Sequence, residues 1–343
     1  MGGETMNTKR WIALIAAAVL LVFSIGLNSI MALFKSDFTM GLDSVLSMDD
    51  TLLLDEVEIE GGDLDSRIAY LTVSGTILDV GEGTILEPVE YNHQAFLNNL
   101  DNILYDETVK GIVLHVDSPG GGVIESAEIH EKLVQIKEER GIPLYVTMGS
   151  YAASGGYYIA APADKIYAQK ETITGSIGVI MQGINYEKLA EKVGIEFETI
   201  KSGEHKDMFG GSRASTPAEK AMLQEMIDES YEDFVDVIEQ GRDMTEAQVK
   251  KVADGRILGG TQAIRAGLVD EIGDDADAIA ALRGDHNLED AQLFEFQTTD
   301  NSWASMLGVK VASIFGPSQE ELLLSKVLSS SNSPRMMYLY GEF

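Results

Sequence analysis

The chain has 343 residues, 45% hydrophobic and 24% charged, the proportions of a folded protein with room for roughly one to three domains. Its 25 Lys and Arg against 56 Asp and Glu leave a formal charge of −31, which would repel nucleic-acid phosphates and argues against a nucleic-acid partner. There is no Cys and only five scattered His, at 93, 115, 130, 205 and 286. Disulfide scaffolds, thiolate zinc sites and a Cys nucleophile are thereby excluded, and a His-based metal site is disfavoured.

Residues 1–10 include Lys9 and Arg10, and residues 11–34 follow without a single charge. As a helix that run would be about 36 Å long, enough to cross a bilayer core of roughly 30 Å. A cleaved signal peptide is the alternative, but the run is longer than a usual apolar region and no A-x-A site follows it. The expectation is a retained transmembrane anchor. Bases before the run and acids after it place the N-terminus in the cytoplasm and the rest outside the cell membrane. Residues 35–65 carry ten acids against one base, Lys35, and read as a solvated, weakly ordered acidic spacer.

Residues 66–300 read as one α/β domain. Residues 67–75 are rich in β-branched and aromatic types and end at a Gly, a strand signal; 111–116, 143–148, 165–168 and 197–200 are further short strands. Apolar residues recur at helical spacing over 96–104 and 124–136, and a helix is expected over 155–161. Thr216, Pro217 and Glu219 form a capping box for a helix running to about 240, and Thr245 with Gln248 opens another. Strands alternating with helices predict a mainly parallel sheet with crossover helices. Residues 301–343 form a C-terminal tail with one weak helix over 319–328 and an apolar end at 336–340. That end is expected either to pack on its own domain or to lie in a substrate groove as an added strand.

Two loops can carry chemistry. The run Asp117 to Gly122 (DSPGGG) follows a buried strand and precedes a helix, so its glycines let backbone N–H groups approach an oxyanion. It lacks the Gly-Lys-Ser/Thr of a P-loop. Ser154 lies in AASGG after the next strand, flanked by small residues; as a bland alternative it would cap the following helix. A Ser nucleophile needs a base, and none of the five His has a pattern linking it to Ser154. A lysine would serve only if neutral. At an ordinary pKa near 10.4 about one in several thousand is neutral at pH 7, and burial must supply roughly 4 kcal/mol of differential solvation. From the residues alone, Lys201 and Lys206 remain equal candidates.

These motifs resemble the bacterial signal peptide peptidase A family in its short, single-domain form. The resemblance runs nearly end to end, through KRWIAL, SPGGG, GSYAASGGYYIA, ETITGSIGV, IKSGEHKD, DGRILGGTQA and SPRMMYLY. It implies a Clp-protease/crotonase-like fold and a Ser–Lys dyad without His, making 66–300 a catalytic peptidase domain. By position, Ser154 matches the nucleophile, Lys206 the general base, and Ser176 the hydroxyl that orients the lysine. Gly120, Gly121 and Gly122 match the oxyanion-hole segment. The family's substrates are remnant signal peptides released from exported proteins. The resemblance implies no metal or other cofactor, and a ring-like homo-oligomer with active sites completed between neighbouring subunits; whether Ser154 and Lys206 of one dyad belong to one chain or to two is left open by the sequence. A crotonase-like acyl-CoA enzyme is the rival, disfavoured by the anchor and the acidic surface; a catalytically silent membrane scaffold is the other.

Overall fold

The computed structural model describes residues 54–80, 91–298 and 335–341. The expected anchor at 11–34 and the weak helix at 319–328 lie outside these residues. Among those described, no helix is long and apolar enough to cross a membrane.

The domain opens with strands β1 (Leu54–Glu60) and β2 (Asp63–Ser74). Residues 54–60 and 63–65, read as part of the acidic spacer, are therefore sheet, and the spacer reading is corrected there. The acids of β1 hid it: it is an edge strand, antiparallel to the last sheet strand, and an edge carries outward charge without penalty. Helix α1 (His93–Tyr105) starts where the Asn92 side chain accepts the Ala95 N–H. Strand β3 (Val109–Ser118) leads into the three-residue β4 (Gly120–Gly122), then α2 (Val123–Arg140), β5 (Leu144–Ala153) and α3 (Gly155–Ala160). Next come β6 (Lys165–Ala168), β7 (Ile173–Gly175) and the short α4 (Glu187–Lys192). The capping box at Thr216 opens α5 (Pro217–Gly241) as predicted, and the second box gives the one-turn α6 (Glu246–Val249). The chain closes with β8 (Ile257–Gly259), α7 (Gly260–Ala266), β9 (Glu271–Ile272), α8 (Asp275–His286) and β10 (Ala291–Thr298), and the tail contributes β11 (Met337–Leu339).

The main sheet runs β1-β10-β2-β3-β5-β6-β9, with β7 and β8 continuing off β5. The pairs β10–β2, β2–β3, β3–β5, β5–β6, β5–β7 and β6–β9 are parallel. Alternate residues serve opposite faces. Leu114, Val116, Val146 and Met148 join the core under α1, α2, α3 and α5, while Val113 and Tyr145 join a second core under α8. Both faces are covered, which is why these strands are nearly continuous apolar runs.

The strand expected at 197–200 is absent: those residues are irregular and exposed. Their β-branched and aromatic composition finds no strand to pair with among the described residues, and a strand without a partner leaves its backbone groups unpaired. Phe197 instead packs its ring on Tyr186.

Candidate active site

Ser154 joins β5 to α3 in a conformation few non-glycine residues hold, φ 54° and ψ −118°. Such a backbone costs of order 1–3 kcal/mol and persists only where its surroundings over-determine it. Here they do. The Ser154 N–H donates to Gly175 O at 2.8 Å, and Ser154 O accepts from the Tyr158 N–H at 2.9 Å. Gly156 presses so closely on Ser118 that a Cβ there would stand 2.8 Å from the Ser118 carbonyl oxygen. Tyr157 and Ile159 root α3 in the core. Although Ser154 occupies the cap position of α3, its hydroxyl makes no cap bond. The Oγ is buried without a hydrogen-bond partner among the described residues, a state that costs about 1–3 kcal/mol. The bland role of helix cap therefore fails, and the strained turn holds an uncommitted hydroxyl at a strand-to-helix junction, as in nucleophile elbows.

The glycine strand β4 lies alongside. Its N–H groups are not equivalent. Gly120 donates to Ser118 Oγ at 3.0 Å and Gly122 to Ile77 O at 2.8 Å, so two of the three expected oxyanion donors are already spent inside the fold. Gly121 lies opposite Tyr338 of β11. The empty place of a Gly155 Cβ is 3.0 Å from Gly121 N and 3.1 Å from Tyr338 O; that of a Gly120 Cβ is 2.7 Å from Gly155 N and 2.0 Å from Tyr338 O. The backbone nitrogens of Gly121 and Gly155 thus both lie close to the Tyr338 carbonyl oxygen. Gly155 is a residue that reading the sequence missed, although its place directly after Ser154 was the available signal. Ser126 was missed as well: it is fully buried, its Oγ is also without a partner, and that oxygen stands 2.5 Å from the same empty Gly155 Cβ position.

The tail reaches this site as an antiparallel strand. Met337, Tyr338 and Leu339 face Gly122, Gly121 and Gly120, while Met337 exchanges both backbone bonds with Ile180 on the other side. Tyr338 is buried against Tyr158 and Phe234 and donates its hydroxyl to Ser230 O at 2.8 Å. Arg335 lies 3.5 Å from Glu125 in the first turn of α2.

Ser176 is close by, since β7 pairs with β5 through Gly175 and Ala153. It is buried, holds φ 51°, and donates its N–H to Arg256 O at 2.7 Å. Lys206 is different. It is exposed on the irregular 201–213 loop, and no hydrogen bond joins it to Ser154 within one chain. The two lysines that the sequence left open differ in their contacts. Lys201 is committed, its amine donating to Glu204 O at 2.8 Å and to Asp207 at 2.7 Å. Lys206 has no side-chain hydrogen bond or ion pair among the described residues. The arm before it exposes Ile184, Leu189, Val193, Ile195 and Ile200.

Charge around that loop is organised by Arg213, which bridges Asp207 and Glu219. Hydrogen bonds from Arg213 hold both carboxyls well below their usual range, and the two acids raise the guanidinium in turn. On the other face of the sheet, the hydrogen bond that His115 donates to the Asp275 carboxylate raises the imidazole above its ordinary value against the opposing effect of burial. Among the described residues no cluster of three or more His, Cys, Asp or Glu could hold a metal.

Residues 136–289 match the family model described as Peptidase family S49, a span that holds Ser154, Ser176 and Lys206. A protein of Enterococcus faecium described as "Putative signal peptide peptidase SppA" is 40% identical over 345 residues, covering 98% of this chain and 99% of that one. "Putative protease slr0021" of Synechocystis sp. is 47% identical over 62% of this chain and 72% of its own. "Serine protease SPPA, chloroplastic" of Arabidopsis thaliana is 30% identical over 65% of this chain and 33% of its own.

Proposed function

This chain belongs to peptidase family S49 and is a serine protease; from that premise we propose that it is a membrane-anchored endopeptidase degrading remnant signal peptides through a Ser154–Lys206 dyad, on a Clp-protease/crotonase-like scaffold. The observation that carries this reading is the strained, buried and unpartnered hydroxyl of Ser154 beside the backbone nitrogens of Gly121 and Gly155.

In this mechanism the unprotonated Lys206 amine takes the Ser154 proton as Oγ attacks the scissile carbonyl. The Gly121 and Gly155 N–H groups receive the oxyanion, each such donor contributing about 3–4 kcal/mol to the transition state. The lysine then gives its proton to the leaving amine. Water, deprotonated by the same amine, releases the acyl group from Ser154. Ser176, beside Ser154, orients the lysine. No cofactor enters these steps.

The free and exposed Lys206, on an arm with uncovered apolar side chains, favours a base supplied to Ser154 by a neighbouring copy in a homo-oligomeric ring. Burial at that interface would also provide the dry surroundings a neutral amine needs. The uncharged run at 11–34, preceded by Lys9 and Arg10, supports anchoring with the catalytic domain outside the cell membrane, where spent signal peptides are met. The tail strand, set along β4 with its Tyr338 carbonyl at the donor pair, occupies the edge a peptide substrate would take and acts as an occluding segment. A serine-directed acylating probe tests the reading. It labels wild type and not Ser154→Ala, and Lys206→Ala abolishes turnover of signal-peptide fragments; equal labelling of Ser154→Ala overturns the assignment.

A further inference from the structure

We propose that Arg213 is the positioning residue of the base loop, clamping the segment that carries Lys206 to the N-terminus of α5 and so setting where the amine stands. The inference rests on the reading of Lys206 as general base.

Lys206 lies on a loop without regular structure, and its two neighbours in sequence are both tied to one anchor. Asp207 accepts from Arg213 Nε at 3.0 Å and Nη2 at 2.6 Å. Arg213 reaches on with Nη1 at 2.9 Å and Nη2 at 2.6 Å to the two oxygens of Glu219. His205 contacts the same carboxylate at 3.3 Å. Glu219 is only 1% exposed and cannot drift: it is the third residue of α5 and accepts the Thr216 N–H at 2.8 Å in the capping box. Phe234, Val235 and Ile238, all fully buried, fasten α5 to the core. A rigid path therefore runs from the core through α5 and Glu219 to Arg213, and from there to the residue after Lys206.

Lys201 also ties this stretch, donating to Glu204 O at 2.8 Å and to Asp207 at 2.7 Å, but it lies on the loop itself and fastens it to no helix or strand; the other anchors hold the loop's far end. The Phe209 ring lies against Gly183, and Gly211 O accepts the Tyr186 N–H at 3.0 Å. Neither reaches residues 204–207. The fork geometry matters: one planar guanidinium engages two carboxylates at once, which an ammonium cannot reproduce. Because Arg213 and Asp207 are only partly exposed, solvent screens the bridge less than an open surface pair. A base displaced by about 1 Å can lose about a hundredfold in rate without a change in substrate binding.

The test uses the full chain in detergent, comparing wild type, Arg213→Ala, Arg213→Lys, Asp207→Asn and Lys206→Ala. Peptide turnover, its pH profile, and hydrogen–deuterium exchange over 203–209 are measured for each. Arg213→Ala is expected to lower kcat by about 10–100-fold with KM nearly unchanged, to move the pH–rate profile, and to speed exchange in the loop. Added guanidinium should recover part of kcat, and Arg213→Lys should fall between wild type and Arg213→Ala. Wild-type kcat, pH profile and exchange in Arg213→Ala overturn the proposal. Should that variant fail to fold, Asp207→Asn releases the loop without touching the α5 cap; it must show the same kcat loss and faster exchange, and wild-type behaviour there is equally fatal. Full turnover in Lys206→Ala would instead refute the base assignment, while the exchange data still judge the clamp.

Discussion

Replacing Ser154 by Ala and by Gly separates its chemistry from its strain. Both variants remove the nucleophile, so both lose turnover. Alanine keeps the backbone at φ 54° and ψ −118°, at a cost of about 1–3 kcal/mol for a residue with a Cβ. Glycine adopts that region freely but loses about 0.5–1 kcal/mol through the greater freedom of its unfolded chain. The difference leaves Ser154→Gly more stable than Ser154→Ala by about 1 kcal/mol at mid-range and at most about 2.5 kcal/mol. At about 2–4 °C per kcal/mol for a domain of this size, its Tm is higher by roughly 2–5 °C at mid-range. Removing the unpartnered hydroxyl leaves Ser154→Ala no less stable than wild type. Thermal unfolding of the three proteins at matched concentration is the assay. A Ser154→Gly protein that melts at or below Ser154→Ala would refute the claim that the nucleophile is held in a strained turn.

Three further outcomes are expected. A Cβ on Gly121 would stand 1.9 Å from Ile77 O; Gly121→Ala therefore displaces β4 and lowers kcat by about 10²–10³ through the lost oxyanion donor, measurable as turnover against unchanged far-UV circular dichroism. His115 binds its proton more tightly in the folded state because of Asp275, so its stabilisation is complete below its ordinary value of 6.5 and is lost as pH rises through the raised one. Urea unfolding across that range shows a decline that Asp275→Asn flattens. Truncation after residue 334 uncovers the β4 edge and raises kcat/KM on short peptides; unchanged activity would count against occlusion by the tail.

Much of the fold was legible because its signals are local. The apolar run at 111–116 lies within β3, that at 143–148 falls in β5 apart from Pro143, and the Thr216–Glu219 box marks the start of α5. What escaped depends on partners. β1 reads as a solvated acid run until β10 pairs with it, whereas residues 197–200 have strand composition and no partner strand among the described residues. β4 consists of three glycines and carries no side-chain pattern, so only its neighbours Ile77 and β11 reveal it. In the candidate site, the strained backbone that removes Ser154 from capping duty arises from long-range bonds. The ion pair that commits Lys201 to Asp207 and the salt bridge from Arg213 to a capping residue likewise form only in the fold. Neither leaves a mark in the local sequence.

The proposal that Lys206 of another copy of the chain activates the Ser154 hydroxyl is tested directly by mixing two dead variants. Ser154→Ala and Lys206→Ala are each inactive alone; dissociated and reassembled together in equal amounts, they should recover about a quarter of wild-type activity, because a quarter of the shared sites then combine an intact serine with an intact lysine. A mixture that assembles fully and yet stays as inactive as its components would contradict the account.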